Sequence, residues 1–179
     1  MTYQHATFGA GCFWCLEAAL NQLQGVKQAI SGYMGGHVSD PSYQAICTGQ
    51  TGHAEVVEVT FDPDIISYQQ LCQIFFSLHN PTQLNRQGND IGTQYRSVIF
   101  YHDAQQQNIA AEVVAELTAM ELFDTPIVTE ISAASRFYPA EPYHQGYAIN
   151  NPSQGYCQLI ISPKLAKFRQ QFHSLLKST

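Results

Sequence analysis

Charge is scarce in this sequence: only 12% of its 179 residues are Asp, Glu, Lys or Arg. Eight Lys and Arg face fourteen acids, which leaves a formal charge of −6. A chain so poor in cations excludes a nucleic-acid partner, because phosphate binding requires clustered Lys and Arg. Nor does it carry a polybasic segment for a membrane surface. No stretch approaches the roughly 18 consecutive apolar residues of a spanning helix. The N-terminal Met1 to His5 is polar, with no basic segment leading into an apolar run, so no export signal is read and the cytoplasm is the expected compartment. Repeats, low-complexity tracts and Pro/Gly-rich linkers are also lacking. A single catalytic domain spanning 1–179 is therefore expected, a length ample for one hydrophobic core.

Ten Tyr and ten Phe leave a surface that relies on Gln, Asn, Ser and Thr for solubility. Five cysteines at irregular spacing make an odd set, better suited to reduced or reactive thiols than to a disulfide framework. Short periodic segments alternate with Gly- and Pro-bearing stretches, which predicts an α/β (α+β) fold with a mixed sheet, flanking helices and long irregular loops. Residues 3–8 read as a strand, and Phe13, Leu16, Leu20 and Leu23 have helical spacing that Gly25 stops. Strands are expected at 26–33, 56–61, 97–101 and 127–131. Ser67 and Gln70 match a capping box, Asp103 caps a helix to about Leu122, and a last amphipathic helix is expected over about 163–177. Segments 34–54 and 80–94 read as long loops without structure of their own, which in a compact domain are usually functional.

The sharpest local signal is Gly11-Cys12-Phe13-Trp14-Cys15, where a strand passes through glycines into a helix. A cysteine there faces unpaired backbone N–H groups and the positive end of the helix dipole, both of which favour thiolate. An ordinary thiol is only about 3% ionised at neutral pH, so a downward shift of one or two units would multiply the nucleophile roughly tenfold or more. The Cys12/Cys15 pair also admits other readings. Structural zinc would need two further ligands at matching spacing; no second pair exists, and His37, His53 and His144 are scattered, so no metal is expected. A thioredoxin-like disulfide exchanger shares the strand-to-helix placement, although two aromatic residues between its cysteines would be unusual. Glu55 follows a Thr-Gly-His turn at the head of an apolar strand and is either an exposed edge residue or a carboxylate facing a site.

Taken in order, the segments carry more than the motif alone. They are Gly11-Cys12-Phe13-Trp14, Gly32-Tyr33-Met34-Gly35-Gly36, Pro41-Ser42-Tyr43, Gly49-Gln50-Thr51-Gly52-His53-Ala54-Glu55, Asn85-Arg86-Gln87-Gly88-Asn89-Asp90, Gly92-Thr93-Gln94-Tyr95-Arg96, Tyr143-His144-Gln145 and Gly155-Tyr156-Cys157. This series resembles the A-type peptide methionine sulfoxide reductases over roughly residues 6–160.

The resemblance implies reduction of methionine sulfoxide, the S epimer, free or in proteins, with no cofactor. It implies Cys12 as nucleophile, Glu55 as acid, Tyr43 and Tyr95 as hydroxyl donors to the sulfoxide oxygen and Asp90 as a further carboxylate. Phe13 and Trp14 would form the apolar wall for the methyl group. Attack would leave a sulfenic acid on Cys12, resolved as an intramolecular disulfide and regenerated by thioredoxin. Cys157 matches the family's usual resolving position. Cys15 stands where glycine is more typical and is the alternative, being within disulfide reach one helical turn away. The stretch around Cys157 reads as a mobile Gly-bearing loop able to swing toward Cys12, and a Cys12–Cys15 bridge would bend the first helical turn, so Cys157 is favoured. Cys47 and Cys72 read as structural thiols. A monomer is expected. A non-catalytic methionine-binding module is the third reading, disfavoured because a binder needs no reactive thiol.

Overall fold

The computed structural model describes residues 2–178. Its chain opens with strand β1 (Gln4–Ala10) and helix α1 (Phe13–Leu20), then runs through β2 (Val26–Met34), the short helix α2 (Tyr43–Cys47), β3 (Ala54–Phe61) and α3 (Tyr68–Ser77). A two-stranded hairpin, β4 (Arg86–Gln87) with β5 (Asp90–Ile91), leads to β6 (Ser97–Tyr101), α4 (Ala104–Ala119), β7 (Glu130–Ala133), β8 (Tyr138–Pro139), α5 (Tyr147–Asn150) and α6 (Ser162–Gln171). The main sheet has the order β7-β6-β1-β3-β2-β8. It is mixed, as expected: β6 and β7 pair in parallel and the remaining neighbours are antiparallel.

β3 lies among the central strands and shows why the sheet holds together. Val57, Val59 and Phe61 point to one face and pack with Phe8, Leu16, Leu20 and Phe75 in the larger core; Ala54 and Val56 point to the other, against Met34, Val98 and Phe100. β-branched residues suit a strand buried on both sides. Strict alternation then puts Glu55 on the same face as Val57 and Val59, the face that α1 covers. The capping box at α3 forms as read, with Ser67 Oγ accepting from Gln70 N–H and the Gln70 side chain accepting from Ser67 N–H. Asp103 caps α4 in the same manner.

Several expectations are corrected. The two long loops are not structureless. α2 occupies part of one, and the β4–β5 hairpin and a 3-10 turn, Thr93–Tyr95, occupy the other. α4 stops at Ala119, and the chain turns away through Glu121 at φ +53°. β7 starts at Glu130 rather than at Ile127, because Val128 N–H is engaged by the carbonyl of Pro81 instead of the sheet. The last helix ends at Gln171, short of 177. Leu175 and Lys177 instead bond to the connection between α1 and β2, with Gln24 N–H donating to Leu175 O and Lys177 N–H to Gln22 O.

The largest correction concerns Cys157. The expected mobile loop is a helical run: Cys157–Ile161 forms a π-helical turn continuous with α6. Gln154 caps it, its side chain accepting from Cys157 N–H at 3.0 Å and its carbonyl from Gln158 N–H at 2.8 Å. The wider turn accommodates Pro163, which has no N–H to donate. Cys157 itself is 1% exposed, sealed in the core.

Candidate active site

Cys12 is the N-cap of α1, with φ −61° and ψ 123°. Gly11 before it adopts φ +86°, and a Cβ there would sit 2.7 Å from Cβ of Gln87. Glycine is thus required twice, for the left-handed turn and for the approach of the β4–β5 hairpin. The hairpin in turn brings Asp90 to the thiol. From β3, Glu55 reaches the same point, its Oε1 accepting the backbone N–H of Phe13 at 3.2 Å.

The expected thiolate is not what the surroundings favour. The Cys12 thiol is held well above its ordinary range, first by burial and then by the Glu55 and Asp90 carboxylates, with the backbone N–H of Trp14 opposing. An α1 of eight residues has a weak dipole, and burial outweighs it. Glu55 is 2% exposed, and burial raises its carboxyl to about 8; the Phe13 N–H opposes the shift and Asp90 adds to it. At neutral pH the pair therefore rests as thiol and carboxylic acid. The carboxyl thus holds a proton beside the thiol.

Tyr43 begins α2, whose N-cap Ser42 accepts from Ala45 N–H, and Tyr43 N–H donates to Glu141 Oε2 at 2.9 Å. Tyr95 closes the 3-10 turn after Gly92. Burial, and after it the Glu55 carboxylate, raises both phenols, so both remain hydroxyl donors. Asp90 Oδ2 accepts from the Tyr156 hydroxyl at 2.6 Å. Cys12, Glu55, Tyr43, Tyr95 and Asp90 are accordingly brought into one neighbourhood.

Phe13 is 1% exposed, between the rings of Tyr33 and His144. Trp14 is half-buried and stacked on Tyr147 with ring centroids 3.9 Å apart. Its Nε1–H donates to His144 Nδ1 at 2.9 Å. Cys15 lies one turn into α1. Burial raises its thiol to about 11, Lys164 opposing and Cys157 adding to the rise. Both resolving candidates are thus near each other. A cavity of about 430 Å³ opens there, lined by Cys12, Cys15, Gln87, Asp90, Tyr156 and Lys164 among others.

Two readings of the other cysteines diverge. Cys72 is buried on α3, as a structural thiol should be. Cys47 is exposed at the end of α2 and close enough to Tyr43 to help raise its phenol, so it belongs to the rim of the site rather than to the core.

No local sequence signal assigns a role in the site to His144, Tyr147, Tyr156, Glu141 or Lys164. Tyr156 and His144 lie in segments that carried the resemblance, so their positions were in view although their partners were not. Glu141 Oε1 accepts from the Tyr33 hydroxyl at 2.9 Å, which ties the 141–147 segment to β2. Among the described residues no group of three or more His, Cys, Asp or Glu gathers to hold a metal ion, and no helix is long and apolar enough to cross a membrane.

The family model described as peptide methionine sulfoxide reductase matches residues 4–176. A Chromobacterium violaceum protein, peptide methionine sulfoxide reductase MsrA, is 55% identical over 175 residues, 98% of this chain and 99% of its own. Among solved structures, Mxr1 from Saccharomyces cerevisiae in reduced form superposes with a TM-score of 0.80 at 34% identity, covering 87% of this chain and 89% of that one. Methionine sulfoxide reductase A of Corynebacterium diphtheriae superposes at 0.75 with 35% identity, covering 85% and 76%.

Proposed function

Because the chain belongs to the peptide methionine sulfoxide reductase family, an enzyme family, we propose a specific division of labour for its reduction of methionine sulfoxide. Cys12 Sγ attacks the sulfoxide sulfur while Glu55 delivers its proton to the oxygen and the Tyr43 and Tyr95 hydroxyls hold that oxygen by hydrogen bonds. The Cys12 thiol proton replaces the one Glu55 gives up, the oxygen passes from the methionine sulfur to Cys12 as a sulfenic acid, and methionine leaves two electrons richer. Asp90, held by Tyr156, fixes the hairpin against the site. Phe13 and Trp14 provide the apolar contact for the methyl group, and the preference for the S epimer is the one the family resemblance implies. A second thiol, Cys157 or Cys15, then displaces water from the sulfenic acid and forms a disulfide, which thioredoxin reduces.

The observation that carries this reading is the Glu55 carboxyl, buried beside Cys12 and protonated up to about pH 8. A sulfoxide oxygen is a poor leaving group until it is protonated, and a neutral carboxyl at neutral pH meets that need. The reaction requires only thiols. Five unpaired cysteines suit a reducing compartment, and the cytoplasm is the place of action we assign. The test is turnover of each methionine sulfoxide epimer with dithiothreitol and with thioredoxin. Turnover of the S epimer with both reductants is expected; equal turnover of the R epimer would overturn the assigned pocket, and failure with thioredoxin alone would overturn the recycling partner.

A further inference from the structure

Glu55 stands in β3, Asp90 in the β4–β5 hairpin and Tyr95 just ahead of β6, so paired strands support all three. Tyr43 has no such support. It begins α2, a helix of five residues with one buried side chain, Ile46, so burial does little to fix how the helix turns about its axis. Ser42 and Thr48, at its two ends, both bond back to Ala45. Among the described residues, one hydrogen bond leaves α2 for another part of the chain, from Tyr43 N–H to Glu141 Oε2 at 2.9 Å. The N–H of a first helical residue is one the helix cannot satisfy itself, and a carboxylate is a favoured partner. The other oxygen of that carboxylate, Oε1, accepts from the Tyr33 hydroxyl at 2.9 Å. Tyr33 is fully buried in β2, directly opposite Glu55 of β3. Burial opposes the charge on Glu141, but the Tyr43 N–H, its own N–H and the Tyr33 hydroxyl hold the carboxyl below its ordinary range. Both oxygens are therefore acceptors at neutral pH.

We propose that Glu141 is a positioning residue of the reduction step, its carboxylate setting where the Tyr43 hydroxyl stands relative to the Glu55 carboxyl. This rests on the reading of Tyr43 as a donor to the sulfoxide oxygen. One carboxylate bridges α2 to β2, the strand whose Tyr33 faces Glu55 across the sheet register, so the donor and the acid share one frame. Glu141 acts through the backbone of Tyr43 and not on the substrate. The sulfoxide oxygen has to be held by the hydroxyl and protonated by the acid in a single geometry. Displacing a reacting group by about 1 Å lowers a rate by up to about a hundredfold. A five-residue helix anchored by Ile46 alone is free to rotate by that much, and the bridge removes the freedom. Tyr95 takes its place from β6, so the bridge bears on Tyr43.

Two hydroxyls share one oxygen, so the test is made in Tyr95→Phe, where Tyr43 holds it alone, with methionine release timed in a single turnover. Adding Glu141→Leu should slow release about ten- to a hundredfold. Adding Glu141→Gln should keep most of the rate, because its carbonyl still accepts the Tyr43 N–H and its amide donates to the Tyr33 oxygen. In Tyr95→Phe with Tyr43→Phe, Glu141→Leu should cost nothing further, since no hydroxyl is left to position. Damage to the fold at large would slow both backgrounds alike. That equal slowing overturns the proposal, and so does an unchanged rate when Glu141→Leu is added to Tyr95→Phe. If Glu141→Leu fails to fold, Tyr33→Phe replaces it, releasing the other end of the bridge while keeping the ring. A slowing of about two- to tenfold, confined to proteins that retain Tyr43, is then expected, and its absence overturns the proposal. Failure of the donor reading is separately visible: Tyr43→Phe added to Tyr95→Phe would itself leave the rate unchanged, which overturns the proposal at its premise.

Discussion

Glu55 Oε1 accepts the backbone N–H of Phe13 at 3.2 Å, so this carboxyl on β3 is fastened to the first turn of the helix that begins at Cys12. Acid and thiol therefore keep their relative position without either side chain bonding to the other. The sheet supplies one and the helix cap the other.

Glu55→Gln should slow methionine release by about 10²–10⁴, the range of a positioned general acid. The wild-type rate should fall as pH rises through about 8, where the carboxyl loses its proton. Single-turnover rates from acidic to alkaline pH check both points, and an unchanged rate in the variant would remove Glu55 from the mechanism.

The same substitution should stabilise the fold near neutral pH. The folded carboxyl is raised from 4.5 to about 8, so between those values the native state holds a proton that the unfolded chain releases. Stability contributed by this group is complete below the unfolded value and is lost as pH rises toward the folded one. At pH 7 that loss is on the order of 1–3 kcal/mol, which glutamine does not incur. Thermal unfolding of both proteins at pH 4 and 7 checks it: the difference should be small at the first and favour Glu55→Gln at the second.

Cys12→Ser should abolish turnover with thioredoxin and dithiothreitol alike, since Cys15 and Cys157 are both buried and the proposed acid, Glu55, is fastened beside Cys12. More than a few per cent residual activity with dithiothreitol would move the nucleophile elsewhere.

Much of this site was legible because its signals are local. Gly11 and the apolar spacing after Cys12 mark a helix start, Ser67 with Gln70 marks another, and the β-branched run after Glu55 marks a strand whose alternation aims that carboxyl at α1. What stayed hidden depends on contacts across the chain. Nothing near Asp90 announces its bond to Tyr156, 66 residues away, and nothing near Lys164 announces α1. Cys157 misled for a different reason: Asn150, Asn151, Pro152 and Gly155 read as a loop, and Pro163 reads as a helix start. A π turn capped by Gln154 carries the helix across that boundary. α2, at five residues, is too short for its periodicity to register.

Gly11→Ala should cost about 1–3 kcal/mol, because alanine at φ +86° is strained and its methyl would meet the Gln87 side chain. The damage should reach catalysis by pushing the β4–β5 hairpin, and Asp90 with it, away from Cys12. Unfolding curves and kcat/KM measured together check this; a stability loss without any loss of kcat/KM would show that the hairpin's position is immaterial to the chemistry.

His144 holds Trp14 in place, and its removal gives the last prediction. Its Nδ1 accepts the indole N–H at 2.9 Å, and its ring lies against those of Phe13, Tyr43 and Tyr143. The segment that carries it is itself pinned, with Gly146 N–H donating to Glu17 on α1 and Gln145 Nε2–H to Ser31 O on β2. To accept at Nδ1 the imidazole must be neutral, and burial lowers its basicity in that direction, the Glu141 carboxylate opposing. Its folded pKa is below the unfolded one, so its contribution to stability is present above the unfolded value near 6.5 and is lost as pH falls below it. His144→Phe should keep the ring packing but leave the indole N–H without an acceptor, costing about 1–3 kcal/mol. Freed from that bond, Trp14 should turn within its stack on Tyr147 and widen the methyl site, so KM for the sulfoxide should rise more than kcat falls. Fluorescence of the single tryptophan reports the change directly: a pH-dependent transition below about 6.5 in the wild type should vanish in His144→Phe. A transition that persists unchanged in the variant would place the titrating group elsewhere and release Trp14 from His144.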